Sequence, residues 1–166
     1  MNIKYLNIIK DYPTFTYKLA GIQVTCQGLS EAEIRRLEIK YNNGNAFPLV
    51  VKEFLYLAGK ENYFFDANGG AEHFHDGVLS EMSRMGLTFN RPILITSNYG
   101  VGNGFEFVYL DEADDPIVKV TTGHTKNFQW ANSNIVDLPW DDEYTNVRLS
   151  ECIKDYVLGR QEKNSK

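Results

Sequence analysis

The stretch "RPILITSNYGVGNGFEFVYLDEADDPIVKV", Arg91 to Val120, decides the fold class. It holds three runs rich in β-branched and aromatic residues: "PILITSN", "GFEFVYLD" and "PIVKVTT". In the second run Phe105, Phe107 and Tyr109 alternate with Glu106, Val108 and Leu110, the period of a strand. Gly-rich and Asp-rich turns separate the runs. These links are too short for crossover helices, so the strands are expected to pair antiparallel.

Upstream the texture is helical. In "LSEAEIRRLEIKY", Ser30 reads as an N-cap, Glu33 completes a capping box, and Leu29 and Ile34 stand at the staple positions. Ile34, Leu37 and Tyr41 line one face, and "NNGN" ends the helix. "PLVVKEFLYLAG" reads as a second helix, with Pro48 at its first position and Gly59 just past its end. Val50, Val51, Phe54, Leu55 and Leu57 surround most of its circumference, which predicts burial on more than one side. "GVLSEMSRMGL" places Val78, Leu79, Met82 and Met85 at helical spacing, with Gly86 as a stop. Residues 1–27 read as an N-terminal extension or an extra element of the same domain. There Tyr5, Ile8, Ile9 and Tyr12 have helical spacing, Pro13 breaks the pattern, and "TFTYKLAGIQVT" is a strand or extended arm.

Downstream, "NFQWANSNIVDLPW" is a candidate further strand. "VRLSECIKDYVLGRQ" closes as an amphipathic helix on Leu149, Cys152, Ile153, Tyr156 and Val157. Residues 161–166 are expected to fray. Helices, then a meander, then a closing helix make an α+β domain over residues 28–160, with helices packed on an antiparallel sheet.

The 166 residues suit one domain, and ten Phe and ten Tyr supply ample core material. A net charge of −5 and a pI near 5.2 disfavour a phosphate backbone as partner. The one basic cluster, Arg35, Arg36 and Lys40, lies on a predicted helix and reads as a solvated face. Cys26 and Cys152 form no CxxC and read as reduced thiols of a cytoplasmic protein. No leader pattern follows Met1, and no apolar run approaches the roughly 18 residues that span a bilayer.

Three stretches are candidates for chemistry. "DANGGAEHFHDG", Asp66 to Gly77, carries two of the three histidines, one residue apart. If extended, His73 and His75 point the same way, as metal-ligand pairs on strands do, with Asp66, Glu72, Asp76 or His124 as a third ligand. The two preceding glycines argue instead for a flexible polar loop, anchored by Phe74, whose histidines touch a partner. "NYGVGNG" echoes a phosphate-binding loop, but a strand follows it where that motif needs a helix, so Gly100, Gly102 and Gly104 read as a hairpin turn or bulge.

The third stretch is acidic. Glu106, Asp111, Glu112, Asp114 and Asp115 occur between Gly102 and Val118 without a Lys or Arg, and "WDDEY" adds Asp141, Asp142 and Glu143. The spacing is not that of an EF-hand. Solvated turns and an interface that steers a basic partner are the two readings. Tyr99, Trp130, Trp140 and Tyr144 are aromatics of the type that anchors interfaces or packs cores. No nucleophile elbow surrounds Ser30, Ser80 or Ser133.

The layout resembles the SUKH superfamily. The helical part matches at Glu33, Ile34, Leu37, Glu38, Pro48, Phe54, Leu55 and Gly59. The sheet part matches in its strand, glycine-rich turn, aromatic strand ending in acids, and P-x-V strand. The resemblance covers about residues 28–160; residues 1–27 lie outside it, and 66–90 are longer and richer in histidine than its pattern. It implies an α+β sheet flanked by helices. It also implies a bacterial immunity protein that binds and neutralises a cognate polymorphic or contact-dependent toxin, often a nuclease, by stoichiometric binding without catalysis. No cofactor or metal is expected, and the partner is a basic toxin domain, with no direct contact to nucleic acid or membrane. Candidate contacts are Glu106, Asp111, Glu112, Asp114, Asp115, Trp140, Asp141 and Asp142. The alternatives are a regulatory scaffold, as in the superfamily's cell-wall-assembly branch, and a metal-dependent hydrolase using His73 and His75.

Overall fold

The computed structural model describes residues 1–18, 20–65, 69–84, 89, 91–98, 105–120 and 146–165. In chain order the elements are α1 (Asn7–Asp11), β1 (Thr14–Tyr17), β2 (Ile22–Thr25), α2 (Glu31–Tyr41), α3 (Leu49–Ala58), α4 (Gly70–Arg84), β3 (Ile93–Asn98), β4 (Phe105–Tyr109), β5 (Lys119–Val120) and α5 (Leu149–Ser165). The fold is mixed α+β. Among the described residues, β1 and β2 form one antiparallel hairpin, and β3, β4 and β5 form an antiparallel sheet with β4 in the middle.

β4 is buried along its whole length. The period-two alternation predicted for it is present, but it sorts residues between two cores and not between core and solvent. Phe105, Phe107 and Tyr109 join Ile93 and Ile95 in a cluster against Phe74, Val78 and Leu79 of α4 and against Phe89. Val108 and Leu110 face the other way, into the main core with α3 and α5. A central strand covered on both faces loses the polar face that an open sheet keeps. Between Ile95 and Ser97 the register of β3 shifts by a bulge at Thr96.

The main core is built on the predicted helix faces. Ser30 Oγ accepts from the Glu33 amide while the Glu33 carboxylate accepts from the Ser30 amide, the reciprocal box expected of this sequence. Ile34 and Leu37 are buried on α2, and Val50, Val51, Phe54, Leu55 and Ala58 on α3. Each buried Val, Leu, Ile or Phe among them contributes about 1.5–3 kcal/mol of hydrophobic stabilisation. Pro48 sits at the N-cap, so the helix starts at Leu49, one residue after the predicted first position. Leu149, Ile153 and Val157 of α5 are fully buried on the predicted stripe, and the helix continues to Ser165, past the expected start of fraying.

The N-terminal segment is part of the same core: Ile3, Leu6, Ile9 and Phe15 are buried in it. Its anchor is a buried acid. Glu53, fully buried on α3, accepts from the amides of Lys4 at 2.6 Å and of Tyr5 and Leu6 at 2.9 Å. Three successive amides curled around one carboxylate make an anion-binding concavity, which satisfies the buried charge.

The stretch Asp66–Gly77 is mostly a helix, in place of the expected loop. α4 begins at Gly70, seven residues before the segment predicted as helical. Gly69 and Gly70 stand at φ +84° and +86°. They are the turn that docks the helix start on the end of α3. A Cβ at Gly70 would meet the Lys60 carbonyl oxygen at 2.8 Å, and the Ala71 amide donates to the Gly59 carbonyl at 2.8 Å. The glycines therefore permit close backbone approach and are not a hinge.

Candidate functional site

In a helix, residues two apart diverge by about 200°, so His73 and His75 cannot share a direction. His73 is exposed, whereas His75 is buried at 1% exposure beneath α2. Glu72 and Asp76, one turn apart on α4, face α2: Glu72 pairs with Arg36, Glu72 with Lys40 at 3.1 Å, Asp76 with Lys40 at 2.6 Å, and Tyr41 Oη donates to Asp76 at 2.6 Å. The Arg36 guanidinium holds the Glu72 carboxyl down at about 2, against a smaller upward push from burial. Asp76 is also lowered, because its bonds from Lys40 and Tyr41 outweigh its burial. The acids of the stretch thus fasten α4 to α2. Among the described residues, no group of three or more His, Cys, Asp or Glu is arranged to hold a metal ion. Asp66 and His124 lie outside the described residues.

The same pairs neutralise the basic cluster. Arg36 and Lys40 are taken by α4, and Arg35 bonds Glu38 at 3.0 Å. Glu38 is itself buried; burial pushes its carboxyl up, but the Phe47 amide together with Arg35 and Lys52 brings it below the ordinary range. No free basic stripe remains on α2 to track a phosphate backbone.

The acidic turn, Asp111 to Asp115, joins β4 to the start of β5. Its carboxylates have separate tasks. Asp115 is buried at 8% exposure and sits at the N-terminus of α5: Oδ1 accepts from the Ser150 amide at 3.1 Å and Oδ2 from the Ser150 hydroxyl at 2.6 Å. It caps that helix, and its own carbonyl accepts from the Arg148 guanidinium at 2.8 Å. The Asp114 carbonyl accepts from the Val50 amide at 2.9 Å, in the first turn of α3, while the Asp114 side chain is exposed. Asp111 forms a two-pronged pair with Arg91, which lowers its carboxyl, and Glu112 stands 3.7 Å from the same guanidinium. The Arg91 guanidinium carbon lies 3.7 Å from the centre of the Tyr109 ring. Glu106, expected at the surface, is 4% exposed on β4, where its Oε1 accepts from Tyr156 Oη of α5 at 3.0 Å.

The expected contact set therefore divides. Glu106 and Asp115 are interior groups that tie β4 and the turn to α5, and the structure corrects their assignment to the surface. Asp111, Glu112 and Asp114 stand together at the surface. Trp140, Asp141 and Asp142, with Glu143, Tyr99, Trp130, Tyr144, the glycines of "NYGVGNG" and the strand proposed over 127–140, lie outside the described residues. Two features were missed from sequence: the caps made by Asp115 and the Asp114 carbonyl, and the burial of Glu53. A carboxylate just before Pro116 was a legible turn signal, but its target is 35 residues away.

Burial raises both thiols, Cys26 to about 11, so neither is a ready thiolate at neutral pH. Among the described residues, no helix is long and apolar enough to cross a membrane. Family models, curated proteins and solved structures yield no match to the chain.

Proposed function

We propose that the chain is an immunity-type binding protein with a SUKH-like fold, which neutralises a basic toxin domain, of nuclease type, by stoichiometric docking in the cytoplasm and without turnover. The observation that carries this reading is the acidic turn. It is clamped at Asp114 by α3 and at Asp115 by α5, while Asp111 and Glu112 lie against Arg91 and the Asp114 side chain is exposed beyond them. A charge surface held by two helix ends is preorganised, so a partner meets it without ordering a loop. Nuclease domains carry basic substrate clefts, and an acidic surface speeds encounter with such a cleft and blocks it. The neutralised basic cluster on α2 supports a protein partner over nucleic acid. The order of capped helix, buried helix, antiparallel sheet and closing helix also supports the SUKH-like reading.

The test is co-expression with the C-terminal domain encoded by the neighbouring gene. Co-purification of a one-to-one complex and rescue of growth are the expected results. Growth arrest undiminished by the protein, with no complex at low salt, would overturn the reading.

A further inference from the structure

His75 lies where three elements meet. It belongs to α4, its ring stands edge-on to Tyr41 of α2 with centroids 4.5 Å apart, and its Nδ1 accepts from the Ile95 amide of β3 at 3.1 Å. The donor in that last bond is a backbone N–H, which has no alternative role. Nδ1 must therefore carry no proton, and the neutral ring keeps its hydrogen on Nε2. Ile95, paired with Phe107, is also the last residue before the bulge in β3, so the imidazole holds the strand right beside its irregularity. We infer that His75 is a proton-operated latch: protonation at Nδ1 turns the acceptor into a donor facing the Ile95 amide and releases α4 from β3.

The charged groups around the ring are Asp76 on its own helix and Lys40 from α2, with the Tyr41 phenol beside it; β3 contributes the Ile95 amide. Asp76 favours the imidazolium and Lys40 opposes it, but both are already engaged with one another at 2.6 Å. Burial dominates, and it holds the imidazole down at about 4 from an ordinary value of 6.5. A depressed imidazole contributes stability that is complete above the unfolded value of 6.5 and is lost as pH falls toward 4. The closed junction is thus opposed by acid across that window. Whatever docks on α4 or on the exposed His73 beside it meets a helix whose attachment depends on pH.

Amide exchange read by NMR on the full chain tests the latch. Between pH 7 and pH 5 the protection of Ile95, corrected for intrinsic exchange, is expected to fall roughly twenty-fold, from the linkage between values of 6.5 and about 4. Protection at Val108, in the main core, is expected to fall less. In His75→Asn, whose amide oxygen still accepts but does not titrate, the extra loss at Ile95 should vanish. Because that variant perturbs a buried site, nitrogen shifts of the wild-type imidazole give a second reading. A ring with its proton on Nε2 at pH 7 and a depressed titration supports the latch. A ring protonated on Nδ1, an ordinary midpoint near 6.5, or an equal pH loss at Ile95 in both proteins overturns it.

Discussion

Asp115→Ala is the substitution that separates the structural acid from the surface acids. Asp115 is 8% exposed, and its two oxygens take the Ser150 amide at 3.1 Å and hydroxyl at 2.6 Å at the start of α5. Loss of an N-cap side chain costs about 0.5–2 kcal/mol. Stranding part-buried donors adds about 1–3 kcal/mol. The effects overlap, so the expected loss is about 2–4 kcal/mol, or roughly 5–15 °C in Tm for a chain of this size. Asp115→Asn keeps an acceptor and loses the charge beside the helix N-terminus, so about 1 kcal/mol is expected. Asp114→Ala leaves intact the carbonyl that bonds Val50, and its exposed side chain should matter by no more than about 0.5 kcal/mol. Urea unfolding followed by circular dichroism measures all three. If Asp115→Ala matches wild type, or Asp114→Ala is the more damaging of the pair, the turn is not held as described.

Other substitutions probe the remaining supports. Glu53→Ala removes the acceptor of three backbone amides and opens a buried cavity, so a loss of at least about 3 kcal/mol or failure to fold is expected by thermal unfolding. Gly28→Ala places a Cβ 1.6 Å from the Tyr56 carbonyl oxygen and should be strongly destabilising, whereas Gly77→Ala meets nothing within 4 Å inside α4 and should stabilise by about 1 kcal/mol through helix propensity. The part-exposed Arg36–Glu72 pair should couple by less than about 1 kcal/mol in a double-mutant cycle, weakening with salt. Because Glu72 is lowered from 4.5 to about 2, its contribution is complete above 4.5 and disappears as pH falls toward 2 in acid titrations of stability.

Local signals made much of the fold legible. The capping box at Ser30 and Glu33, the apolar circumference of α3 and the stripe on α5 act within a turn or two of their own helix, so spacing alone reveals them. The antiparallel meander followed from short links. Phe74 and His75 were harder to read: with Gly69, Gly70 and Gly77 around them, propensity argues against a helix. Packing against β3 and the ion pairs to α2 override that propensity, and both depend on residues far away in sequence. The candidate site was legible as charge but not as geometry. Five acids looked equivalent along the strand and turn, yet Glu106 and Asp115 point into the molecule because Tyr156 and Ser150 arrive from α5. Glu53 stands beside Lys52 on an otherwise apolar helix, and only the return of Lys4, Tyr5 and Leu6 from 47–49 residues away explains its burial.

The proposal that the acidic turn steers a basic toxin domain is tested most directly by association kinetics. Stopped-flow on-rates with the neighbouring gene's C-terminal domain, for wild type and Asp114→Lys, compare low and high salt while leaving the Asp115 cap intact. The expected result is a wild-type rate that falls steeply with salt, a slower variant at low salt, and convergence of the two at high salt. Equal on-rates at low salt would contradict the account.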